Sequence, residues 1–125
     1  MTISELKTLG EARAQYKGLE TFEAPAGMRE VMLISDECVA VCPVTSQPDW
    51  YTVEVFYRPT TLCVESKTFK LFIQSFKESG MFCEAFASRI AFTLAALLET
   101  PVRVTVTQKP RGGVKIVARA KGYLP

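Results

Sequence analysis

Apolar residues change their spacing along this chain, and the changes mark its elements. Tyr51, Val53, Val55 and Tyr57 alternate with other residues across Trp50–Tyr57, the period of a strand with one covered face. "REVMLI" (Arg29–Ile34) reads as an earlier strand. From Lys67 to Ser79 the period lengthens, with Phe69, Phe72, Ile73 and Phe76 at the spacing of an apolar helix stripe. Gly80 suits the end of that helix. Phe82, Phe86, Ile90, Leu94 and Leu97 form a second stripe that runs to about Glu99, just before Pro101. Val102–Thr107 alternates strictly, "QKPRGG" reads as a turn, and Val114–Ala118 as the returning strand of a hairpin. Residues 1–27 are polar with scattered Gly and Pro and read as a leader, leaving 28–125 as one domain.

The order strand, strand, helix, helix, strand, strand predicts an α+β domain. Two antiparallel helices should lie across one face of a four-stranded antiparallel sheet. Such a sheet has open edges, which favour pairing with neighbouring subunits.

Composition narrows the function. A chain of 125 residues, 48% hydrophobic and 22% charged, can bury a core. A net charge of +2 is too small to argue for nucleic acid or a membrane surface. The N-terminus shows no apolar signal region, and no apolar run is long enough to span a bilayer. Four cysteines without a secretory leader point to free thiols in a reducing, cytoplasmic setting. The chain has no histidine, so proton transfer falls to carboxylate, thiol, lysine, tyrosine or water. No Cys-x-x-Cys occurs, which argues against a metal site.

The chemistry-bearing residues each carry a plain reading beside a functional one. In "VCPVTSQPDW", Cys42 is either a small buried hydrophobe or a nucleophile, and Asp49 a turn residue or its proton donor. Pro43 and Pro48 stiffen the loop that joins them. In "VESKTFKLF", Ser66 reads as a helix cap, with Glu65 favouring the helix dipole. Lys67 and Lys70 sit in the first turn, where the dipole disfavours cations, and two lysines beside free N–H groups suit a phosphate. "KPRGG" is either a solvated hairpin or a second cationic turn. Glu84 in "FCEAF" either serves the dipole of its helix or accepts the paired N–H donors of a guanine-like ring.

Together "CPVTSQPD", "VESKTFKLF" and "PRGG" resemble the short, single-module QueF nitrile reductases, from about Cys38 to Gly113. These are NADPH-dependent 7-cyano-7-deazaguanine reductases of queuosine biosynthesis, in the tunnelling-fold (T-fold) superfamily. The resemblance implies ββααββ subunits that assemble into multi-subunit barrels, stacked as rings of identical chains with sites at subunit interfaces. It implies Cys42 as the nucleophile that forms a thioimide and Asp49 as the proton donor. It implies Val64, Glu65, Ser66, Cys83 and Glu84 at the substrate, and Ser66, Lys67, Lys70, Arg111 and Gly112 at NADPH. The substrate would be a small 7-deazaguanine, with no membrane and no required nucleic acid. The family has a histidine where this chain has Cys83, which implies slower hydride steps here. Two other functions fit the same residues: a non-reducing, amidinotransferase-like enzyme acting on the same nitrile, and a purine-binding protein without turnover.

Overall fold

The computed structural model describes residues 18–124. Its elements are β1 (Thr21–Glu23), β2 (Val31–Val41), β3 (Pro48–Tyr57), β4 (Leu62–Val64), α1 (Ser66–Gln74), α2 (Cys83–Leu98), β5 (Val102–Arg111) and β6 (Val114–Gly122). The main sheet has the order β2-β3-β5-β6, antiparallel throughout, and both helices lie on one of its faces. A separate two-stranded ribbon pairs β1 with β4.

The alternation in β3 decides which face is covered. Tyr51, Val53, Val55 and Tyr57 are all buried, as are Val102, Val104 and Val106 of β5. Phe86, Ile90, Leu94 and Leu98 of α2 close over them, and Phe69, Phe72 and Ile73 of α1 fill the flank. Phe76 joins the two helices, with ring centroids 5.1 Å from Phe72 and 4.8 Å from Phe86. At the end of β6 the backbone comes so close to α2 that a Cβ on Gly122 would lie 2.2 Å from the carbonyl oxygen of Ala91.

Several boundaries differ from the sequence expectation. β2 does not stop at Ile34 but continues to Val41. The polar run Ser35–Glu37 hides this, because a bulge between Ser35 and Cys38 turns Asp36 and Glu37 outward and returns Cys38 and Ala40 to the core. α1 ends at Gln74 rather than Ser79, and the Ser75 hydroxyl donates to the Phe72 carbonyl at 2.6 Å. Gly80 instead bridges to Val41, tying the helix connection to the end of β2. Phe82 is not part of the buried stripe; it precedes α2 as its N-cap and is 60% exposed. The last hairpin turns on Gly112 and Gly113 alone, with φ of 62° and 80°, the backbone a two-residue turn of this hand requires. Lys109, Pro110 and Arg111 therefore belong to β5. Of the leader, residues 1–17 lie outside the described residues, and Thr21–Glu23 forms β1.

Candidate active site

Cys42 follows β2 directly and opens the loop to β3. Its N–H donates to the Gln47 carbonyl at 2.8 Å, and its carbonyl accepts from the Ser46 N–H at 2.9 Å. Ser46 takes a left-handed φ of 59° to close this turn. Thr45 stands over the sulfur. Hydrogen bonds from the Thr45 hydroxyl, then from the backbone of Thr45 and Val44, pull the Cys42 thiol below its ordinary value. The other cysteines are buried. Burial pushes Cys38 up to about 12 and Cys83 up to about 11, so both are neutral thiols. Cys42 alone combines access with thiolate character.

Asp49 lies in β3 opposite Ala40, and the pleat points it to the helix-covered side, where it is 6% exposed. Arg111 reaches back from the end of β5 and meets its Oδ1 at 3.0 Å. The same guanidinium donates to the Pro48 carbonyl at 2.8 Å and to the Thr45 hydroxyl at 3.2 Å. One side chain thus touches Asp49 directly and Cys42 through Thr45. Arg111 had been expected at the cofactor, with no tie to Asp49. Neither that tie nor Thr45 has a sequence signal, since both depend on the hairpin folding back beside the loop.

The start of α2 lies near this group. Cys83, its first residue, is 1% exposed, with its thiol 3.6 Å from the Val106 carbonyl. Glu84 is exposed in the first turn, and the Phe82 ring is exposed beside it. Phe82 was read as part of the second apolar stripe.

The remaining candidates sit elsewhere. The Val64 N–H donates to the Tyr57 hydroxyl at 3.0 Å, which fixes the start of α1 over the far end of β3. From Asp49 to Tyr57 the strand spans on the order of 25 Å, at about 3.3 Å per residue. Glu65, not Ser66, is the N-cap of α1: its Oε1 and Oε2 accept from the N–H groups of Lys67 and Thr68, each at 2.7 Å. Those N–H groups are therefore not free for a phosphate. Ser66, Lys67 and Lys70 are exposed, and no acid lies in the first turn. Ser66 and Lys70 line a groove of about 300 Å³ against Leu33, Ser35 and Asp36 of β2. Among the described residues neither the Lys67 nor the Lys70 ammonium group is in an ion pair, and with the Ser66 hydroxyl they form a donor set suited to phosphate. The chain thus gathers Cys42, Asp49, Cys83, Glu84, Arg111 and Gly112 at one end of the sheet. Val64, Glu65, Ser66 and Lys67 lie towards the other end, and Lys70, one turn further along α1, stands against Ser35, Asp36 and Glu37 midway along β2.

Comparison with known proteins gives a consistent result. A model of the QueF-like protein family matches residues 48–123. The NADPH-dependent 7-cyano-7-deazaguanine reductase of Frankia casuarinae is 39% identical over 110 residues, covering 86% of each chain. The Rhodopirellula baltica protein of that name is 41% identical over 101 residues, covering 77% of this chain and 82% of its own. The Nitrosomonas europaea one is 37% identical over 116 residues, covering 87% and 84%. The crystal structure of the archaeosine synthase QueF-Like in the apo form superposes with a TM-score of 0.72. It is 24% identical and covers 82% of this chain and all of its own, a likeness that bears on the fold alone.

Proposed function

The chain belongs to the QueF-like protein family, and from that premise we propose that it reduces the nitrile of 7-cyano-7-deazaguanine to the aminomethyl group with NADPH. One observation on the chain itself carries this reading: an accessible thiol lowered by Thr45 stands beside a buried carboxylate, and Arg111 braces both.

The chain's own groups support addition of Cys42 to the nitrile. The sequence reading had Asp49 waiting as an acid. With the Arg111 guanidinium at 3.0 Å from its Oδ1, Asp49 is placed to take the proton from Cys42 itself. The Cys42 thiol passes its proton to Asp49, and the thiolate forms a C–S bond at the nitrile carbon. One C≡N π pair moves to nitrogen, and nitrogen takes the proton back from Asp49. The net change is addition of S–H across C≡N, giving a thioimide, with Asp49 a carboxylate again. NADPH, when bound, supplies hydride, two per nitrile converted to amine. Ser66, Lys67 and Lys70 are the groups suited to its phosphates. Glu84 would accept the paired N–H donors of the purine edge, with the exposed Phe82 ring at its side.

The start of α1 lies towards the Tyr57 end of β3, away from Cys42 and Asp49. We therefore place the complete site between identical chains, the second contributing the start of α1. The open edges β2 and β6, and the exposed Met32, Ile34 and Val117, favour such assembly. No helix among the described residues is long and apolar enough to cross a membrane. Four free cysteines suit the reducing cytoplasm, which is where we place the enzyme.

The test is direct. Protein mixed with 7-cyano-7-deazaguanine should gain the ligand's mass on Cys42, and added NADPH should lose its absorbance as the adduct disappears. An adduct with no NADPH consumption would remove the reductase and leave the non-reducing reading. An adduct that persists in Cys42→Ala would remove the nucleophile assignment.

A further inference from the structure

Tyr51 is fully buried, yet its hydroxyl has no hydrogen-bond partner among the described residues. Its ring packs edge-on against Phe86, with centroids 5.3 Å apart and planes at 74°. A phenylalanine would keep that contact and avoid burying an unpaired hydroxyl, which works against the folded state. Packing therefore explains the ring and not the oxygen.

The position of the oxygen is informative. Tyr51 lies two residues beyond Asp49 on the same covered face of β3, and opposite Cys38 of β2. Among the ionisable groups within its electrostatic reach, Asp49 acts most strongly, followed by Cys83, Cys38 and Cys42. Arg111 engages Asp49 Oδ1 from the hairpin side at 3.0 Å, the one ion pair of that carboxyl among the described residues. Burial and the neighbouring Asp49 hold the phenol proton well above the usual phenol range. Tyr51 can thus lend a hydrogen bond without giving up its proton.

We infer that Tyr51 is a positioning residue for Asp49: its hydroxyl, unpaired in this structure, is the donor that the carboxyl meets when it turns to carry the proton from Cys42 to the nitrile nitrogen. The inference rests on the thioimide reading above. The physical need is orientation. A carboxyl anchored through one oxygen can still rotate, and a second donor fixes its plane while Arg111 braces the loop. Tyr51 makes no contact with the substrate.

The experiment compares wild type, Tyr51→Phe, Asp49→Asn and the double variant. Adduct formation with 7-cyano-7-deazaguanine is followed by intact mass without cofactor, and thermal stability is measured for each protein. Tyr51→Phe should be as stable as wild type or more so, yet form the adduct about tenfold or more slowly. In the Asp49→Asn background the same change should have no further effect, because the hydroxyl acts through that carboxyl. Unchanged adduct formation in Tyr51→Phe, or equal slowing in both backgrounds, would overturn the inference. So would a loss of stability that accounts for the lost rate, since the hydroxyl would then be structural. A wild-type protein that forms no adduct would overturn the thioimide reading and this inference together. A normal wild-type adduct with an indifferent Tyr51→Phe overturns this inference alone.

Discussion

Thr45 shows how much of the site's chemistry rests on one hydroxyl. It heads the interactions that lower the Cys42 thiol, and it also accepts from Arg111 and from the Gln47 N–H at 3.3 Å. A thiolate reacts with iodoacetamide and a thiol does not, so the alkylation rate reports the thiolate fraction. Because the folded thiol is lowered, wild-type Cys42 should reach half-maximal alkylation at a pH below that of an ordinary free cysteine. Thr45→Ala should move that midpoint upward and slow alkylation at neutral pH. Peptide mapping should place the label on Cys42, since Cys38, Cys63 and Cys83 are buried. A midpoint that ignores Thr45→Ala would transfer the effect to the backbone N–H groups of Val44 and Thr45. At this scale the sequence was a partial guide. It marked Cys42 and Asp49 through their stiff loop, but it misjudged the cap at Glu65. Glutamate reached that place by carrying two acceptor oxygens to two N–H groups, where a serine would satisfy one.

At the scale of elements, β6 meets α2 with no room to spare, and this contact is testable. An alanine Cβ at Gly122 would fall 2.2 Å from the Ala91 carbonyl oxygen and 2.9 Å from the Phe92 nitrogen, both backbone atoms. Neither can step aside like a side chain, so the strand end must lift from the helix. Gly122→Ala should cost at least the about 1–3 kcal/mol typical of overpacking, read as a lower midpoint in urea. An unchanged midpoint would mean that the strand end detaches freely. Gly122 carried no signal in the sequence because the close approach joins residues far apart in the chain. What was legible followed from periodicity: the covered face of β3, the stripe of α1, and the buried run of β5 all match the spacing of their apolar residues. What was not legible involved compensation between levels. The bulge in β2 lets a polar run pass through a strand, and the Gly112–Gly113 turn lets Pro110 and Arg111 stay in one.

At the scale of the whole molecule, the division of the site residues sets the strongest constraint. Cys42, Asp49 and Glu84 share one end of the sheet, while Lys67 sits at the start of α1 over the other. If each site takes Cys42 from one chain and Lys67 from another, two inactive variants should rescue each other. On the proposed mechanism Cys42→Ala lacks the nucleophile, and Lys67→Ala lacks a phosphate partner. Each alone should consume little NADPH, though Lys67→Ala should still form the adduct. Unfolded together in equal amounts and refolded, they would assemble at random. A site is then intact when its cysteine comes from the Lys67→Ala chain and its lysine from the Cys42→Ala chain, which holds for about a quarter of sites. NADPH consumption should recover to about that fraction of wild type. Sites built within single chains would recover nothing, because every chain carries a defect. Light scattering on the mixture separates this result from failed assembly: oligomers without activity would place the whole site in one subunit, and monomers alone would remove the shared-site proposal.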